Sequence, residues 1–134
     1  MRTIKFRGKD VTTGEWRFGD LIHGVGNKHG RMYILPITHI YPKGCNELDG
    51  WEVIPETVGQ LIGLTDKNGK EIYEGDITNA GIKGSLARII YLDGAFQYEY
   101  LTKPQKPDVY RFEYHKMNTH EVIGNIHDNP ELLK

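Results

Sequence analysis

Turn signals recur along this chain at such short intervals that only short strands fit between them. Gly8, Thr12-Thr13-Gly14, the Gly24 to Gly30 stretch, Asp66-Lys67-Asn68-Gly69, Asn79-Ala80-Gly81 and Asp93-Gly94 all interrupt apolar runs. The runs between them alternate or carry β-branched and aromatic residues, as at 4–7, 16–22, 32–37, 51–54, 58–64, 71–78, 85–92, 95–101, 110–115 and 121–126. Helical periodicity is scarce. A single turn can follow Pro55, and another can start at Asp128 or Asn129 with Pro130 in its first position. The pattern predicts a mainly β protein with little helix.

Two hairpins stand out. Residues 4–7 and 16–22 are expected to pair across the Thr12–Glu15 turn, and 85–92 with 95–101 across Asp93-Gly94, a strong hairpin signal. Gly69 can take the positive φ that closes the Asp66–Gly69 reversal. Pro36 lacks an amide donor and marks a strand end or an edge. The loop at 41–50 holds Pro42, Gly44, Asn46 and Gly50 and is read as the divide between two small β lobes, 1–50 and 51–134. The stretch 24–30 is expected to be a mobile loop, and 103–108 a stiff polar connection.

The 134 residues suffice for one domain or two small lobes, and the 38% of hydrophobic residues occur in patterned clusters, so a modest core is expected rather than disorder. No stretch approaches the roughly 18 consecutive apolar residues of a membrane helix. The opening Met-Arg-Thr-Ile-Lys-Phe-Arg-Gly has no apolar signal core, and the single cysteine, Cys45, excludes an intramolecular disulfide. These features predict a soluble protein of the bacterial cytoplasm, with no membrane contact.

Net charge is only −1, but it is unevenly spread. Arg2, Lys5, Arg7, Lys9, Arg17, Lys28 and Arg31 outnumber the early acids, whereas Glu47, Asp49, Glu52, Glu56, Asp66, Glu71, Glu74 and Asp76 outnumber Lys67 and Lys70. Three explanations stand: copies stacking basic on acidic, a basic lobe that meets phosphate, or plain solvated surface.

The sequence offers little that is catalytic. Counted from Asp66, the fifth, sixth and twelfth positions are Lys70, Glu71 and Ile77, which breaks the register of a calcium loop. His23, His29, His39, His115, His120 and His127 show no zinc spacing, and Cys45 has no recognisable base beside it. Glu74 and Asp76 share a strand face, but the Glu-Gly-Asp turn points to a structural Asp76 that accepts backbone amides. Gly24-Val25-Gly26 precedes no helix and makes no phosphate loop. No cofactor is implied. Two aromatic clusters are candidate base-stacking platforms: Phe96, Tyr98 and Tyr100 on one strand face, which read better as core, and Trp16 with Arg7, Lys9 and Arg17. Arg7, Lys9, Trp16 and Arg17 are the candidate nucleic-acid contacts.

Three ordered blocks resemble the YopX family, small proteins found mostly in bacteriophages and prophages. They are Ile4-Lys5-Phe6-Arg7-Gly8-Lys9 with Trp16 and Gly19-Asp20-Leu21; Thr57-Val58-Gly59-Gln60 through Ile72-Tyr73-Glu74-Gly75-Asp76-Ile77; and Val122-Ile123-Gly124-Asn125-Ile126 with Asp128-Asn129-Pro130-Glu131-Leu132-Leu133. The resemblance implies a C-terminal small barrel of the Src-homology-three type, a symmetric homo-oligomer and no catalytic residues. Together these readings predict a non-catalytic phage or prophage accessory protein that self-associates and binds phage or host proteins. The alternative is a nucleic-acid-binding module.

Overall fold

A computed structural model describes residues 2–36, 50–79, 85–101 and 119–133, together with the backbone of 109–111. The loop expected at 41–50, the connection at 103–108 and most of the run at 110–115 lie outside the described residues. Two compact units divide the chain, Met1–Leu61 and Ile62–Lys134. The expected divide at Gly50 comes too early because the residues that follow it return to the first unit's strands.

In the first unit, β1 (Phe6–Lys9) and β2 (Trp16–His23) form the expected antiparallel hairpin, with β1 displaced toward the turn and running through Gly8. Strand β3 (Met32–Leu35) pairs with β2, and its end at Leu35 agrees with the stop expected at Pro36. Where a mobile loop was expected, Gly26–Lys28 makes a single 3-10 turn, and the Gly24 amide donates to the Arg31 carbonyl at 2.9 Å. Strand β4 (Trp51–Val53) lies along β3, and the start of β5 (Gly59–Thr65) lies along β1, which gives the order β4-β3-β2-β1-β5.

The far side of β4 also reaches the end of β1. Val53 bridges Asp10, the Val11 amide donates to Glu52 at 3.1 Å, and the Ile54 amide donates to Lys9 at 2.8 Å. The sheet therefore curls over Ile34 and Val53, both wholly buried. After it, Pro55–Thr57 forms the 3-10 turn that the proline predicts. The Thr57 hydroxyl donates to the Ile54 carbonyl at 2.6 Å and accepts the Lys9 amide at 2.9 Å, joining this turn to β1.

In the second unit, Ile62–Thr65 of β5 turns through Asp66–Gly69 and returns as β6 (Glu71–Tyr73). The run expected at 71–78 is broken at Glu74-Gly75, because the Asp76 carboxylate accepts the Tyr73 amide at 2.8 Å and holds a tight turn there. From that turn β7 (Asp76–Asn79) enters a five-stranded antiparallel sheet with β8 (Leu86–Leu92), β9 (Ala95–Tyr100), β10 (Val109–Arg111) and β11 (Glu121–Asn125). The order is β10-β9-β8-β7-β11, an open arrangement; the pairings among the described residues do not close it into a barrel. Asp93 and Gly94 both take positive φ, 51° and 80°, as a two-residue hairpin turn requires.

Ile72, Ala87, Ile89 and Tyr98 form this unit's buried core, with Ile62, Leu64, Tyr100 and Val122 packed around it. The two tyrosines belong to that core, their rings edge to face at 5.6 Å. Phe96 meets Tyr91 edge to face at 5.2 Å, beside the exposed tip of the hairpin. The tail is a polar knot. The Asn125 side-chain oxygen accepts the His127 and Asp128 amides, Asn129 accepts the Asn125 amide, and a 3-10 turn follows at Pro130–Leu133.

Gly8 is where backbone meets core most closely. A Cβ there would lie 2.9 Å from both Cβ and Cγ2 of Val53, which is branched and fully enclosed. Replacing Gly8 with Ala is expected to lower stability by about 1–3 kcal/mol through overpacking, read by urea denaturation. An unchanged midpoint would show that β1 and β4 are not packed this tightly.

Candidate functional site

Strand register separates the four sequence-nominated residues. Directly opposed residues of an antiparallel pair share a face. Arg7 opposes Phe18 and Lys9 opposes Trp16 on one face, while Arg17 opposes Gly8 on the other. The Arg7 guanidinium lies 4.5 Å from the Trp16 ring centre and the Lys9 ammonium 5.7 Å from it. Arg7 is itself buried, so much of its charge faces the indole instead of open solvent. Phe18, 45% exposed, extends this face.

Arg17 belongs to a different cluster. Its Nε donates to Asp10 Oδ2 at 3.1 Å, its Nη1 approaches Glu15 at 3.3 Å, and its guanidinium lies 4.7 Å from the Trp51 ring centre. With Thr12 and Glu52 these residues line a cleft of about 340 Å³ where the end of β1 meets β4. Asp10 is buried and anchors the adjoining turn, since its Oδ1 accepts the Thr12 amide at 2.8 Å and the Thr13 amide at 3.2 Å. Burial pushes the Asp10 carboxyl up, but the two amides and Arg17 outweigh it and hold the group below its ordinary 3.8. Glu52 approaches Arg31 at 3.8 Å. The indole Nε1 of Trp51 is shut off from solvent and has no hydrogen-bond partner among the described residues.

The second unit holds two further buried titratable groups. Asp66 accepts the Asn68 and Lys70 amides of its own turn at 2.8 and 2.9 Å, and its other oxygen accepts the Val122 amide at 2.9 Å. Burial again raises this carboxyl and the amides again win, leaving it below 3.8. His120, 2% exposed, shares a 2.9 Å hydrogen bond between its Nδ1 and the Thr78 hydroxyl and meets the Tyr98 ring edge at 5.3 Å. Burial holds its imidazole below the ordinary 6.5.

Among the described residues, no three His, Cys, Asp or Glu side chains gather as a metal site would need. His39, Cys45 and His115 lie outside the described residues. No helix of the described residues is long and apolar enough to cross a membrane.

The family model described as YopX protein matches residues 5–134, nearly the whole chain. The chain belongs to the YopX family. No curated protein matches it. A solved structure with this fold is protein EF1440 from Enterococcus faecalis, 26% identical, with a TM-score of 0.61 and complete coverage of both chains.

Within this YopX protein, sequence reasoning grouped Arg17 with Arg7, Lys9 and Trp16, and it did not foresee the Asp10–Arg17–Trp51 cluster. The signal for part of it was present: Asp10 starts a Thr-Thr-Gly turn, a place where aspartate caps backbone amides. Trp51 joins only through the β3–β4 pairing, which no local pattern announces.

Two outcomes follow for the second unit. Replacing Asp66 with Ala leaves three backbone donors short of their acceptor and is expected to cost about 1–3 kcal/mol, with amide exchange accelerating at Val122. Exchange unchanged at Val122 would contradict the tie. For His120, a folded pKa below 6.5 means that the fold holds fewer protons than the unfolded chain. Its contribution is therefore complete above pH 6.5 and is lost as pH falls below that value toward the folded pKa. A His120→Gln variant is expected to show a flatter dependence of stability on pH in that window, and an identical slope would rule His120 out as its cause.

Proposed function

We propose that this YopX protein is a non-catalytic accessory protein of a phage or prophage, acting in the bacterial cytoplasm by associating with itself and binding protein partners. One observation carries the reading. The buried groups that would suit acid–base chemistry, Asp10, Asp66, Asp76 and His120, are all engaged in holding turns and strands together. Large apolar side chains meanwhile stand at the surface of each unit, Phe18 in the first and Tyr91 and Leu92 in the second. The phage origin rests on family membership, and self-association also draws on the uneven charge of the sequence.

A second reading, contact with nucleic acid, is favoured by one feature: Trp16 flanked by Arg7 and Lys9. Two features weigh against it, the burial of Arg7 and the carboxylates beside Arg17.

Light scattering on a sizing column, with absorbance read at 260 and 280 nm, tests both readings. The expected result is an assembly several times the monomer mass, free of nucleic acid. A monomer at micromolar concentration would remove self-association. Nucleic acid that co-elutes, is lost in high salt and is also lost on replacing Arg7, Lys9 and Arg17 with Ala would favour the second reading.

A further inference from the structure

The cleft at the end of β1 has a composition that points to one kind of ligand. Its charges cancel in pairs, Asp10 with Arg17 and Glu52 with Arg31, so it offers neither a phosphate nor an ammonium group a net attraction. Flat surface is what it does offer. The Arg17 guanidinium lies over the Trp51 ring, and its position is set by Asp10 on one nitrogen and Glu15 on another. A guanidinium held this way is a weakly hydrated plane on which rings stack.

The polar atoms are also complementary to a particular edge. Trp51 Nε1 is a donor without an acceptor among the described residues, and its burial makes that costly unless something supplies one. Glu52, partly exposed and only loosely held by Arg31 at 3.8 Å, is an acceptor with capacity to spare. The Thr12 hydroxyl, at the surface of the same cleft, can donate or accept. An indole donor near a carboxylate acceptor matches a ligand that carries C=O beside N–H. At about 340 Å³ the space falls in the range of small-molecule sites.

We propose that this cleft binds a neutral planar ring bearing a lactam edge, as in guanine or uracil, stacked on Arg17. The carbonyl takes the Trp51 N–H and the ring N–H donates to Glu52. Such a ring can come from a free nucleoside or from an unpaired base in a single strand. The site is separate from the Arg7–Lys9–Trp16 face, and it stands whether or not the protein self-associates.

The test is a titration of the full-length Trp16→Phe variant, in which Trp51 is the sole fluorophore of its kind, with guanosine, uridine, cytidine and 1-methylguanosine. Guanosine or uridine is expected to shift the Trp51 emission. Cytidine and 1-methylguanosine, which lack the ring N–H beside the carbonyl, are expected to bind about ten-fold more weakly or worse. Guanosine monophosphate is expected to bind no more tightly than guanosine. Because Arg17→Ala can disturb the Asp10 turn, Glu52→Gln and Thr12→Val are the variants to read, each with a weakened lactam titration and an unchanged melting temperature.

A short uridine oligomer separates the sources. Binding that Glu52→Gln weakens places a strand's base in the cleft, and nucleoside binding alone marks a free metabolite. The proposal is overturned if no lactam nucleoside shifts the emission at millimolar concentration, if 1-methylguanosine binds as well as guanosine, or if the Glu52 and Thr12 variants bind unchanged.

Discussion

In the second unit the Asp66 carboxylate takes amide hydrogens from Asn68 and Lys70 of its own turn and from Val122, 56 positions along the chain. That one side chain sets the β5–β6 reversal and fastens the start of β11 to it. The Lys67 amide reinforces the join by donating to the His120 carbonyl at 2.9 Å, and the Lys67 ammonium stands 3.5 Å from Glu121. Thr78 on β7 then meets His120 from beneath the same strand. The first unit repeats the device with Asp10, which caps its own turn and holds Arg17 in place. In a small β protein with a modest apolar core, buried carboxylates that each satisfy several backbone donors replace part of the order that helices or a larger core would give.

The same economy shapes the functional reading. A carboxylate already saturated with amide donors, and held below its ordinary pKa by them, is a poor proton carrier near neutral pH. Asp10, Asp66 and Asp76 are therefore framework, and the surfaces they support are what partners can meet. Register decides what those surfaces are. It sends Arg7 and Lys9 to one face with Trp16 and sends Arg17 to the other with Trp51, so the clustered cations of the N-terminal sequence become two separate environments.

What could be read from the sequence was local. The Asp93-Gly94 hairpin, the Asp66–Gly69 turn, the stop at Pro36 and the 3-10 turns at Pro55 and Pro130 each depend on residues within a few positions of one another. Tyr98 and Tyr100 were legible as core from simple alternation. The break at Glu74-Gly75 was passed over as one strand, although Asp76 was read as an amide acceptor, because the apolar run continues through it. What stayed hidden was long-range. The β3–β4 pairing draws Trp51 and its neighbours back to the first unit, Val122 reaches Asp66, and His120 reaches Thr78 across 42 positions. No periodicity encodes which distant strand will lie alongside.

Carbon-13 NMR titration of the aspartate side chains is the most direct measurement of whether the buried carboxylates are framework. The account predicts that Asp10 and Asp66 titrate below 3.8, each protonation step accompanied by movement of its amide donors, Thr12 and Thr13 for the first and Asn68, Lys70 and Val122 for the second. Either carboxylate titrating well above that value, without response from those amides, would contradict it and return the group to consideration as a chemical one.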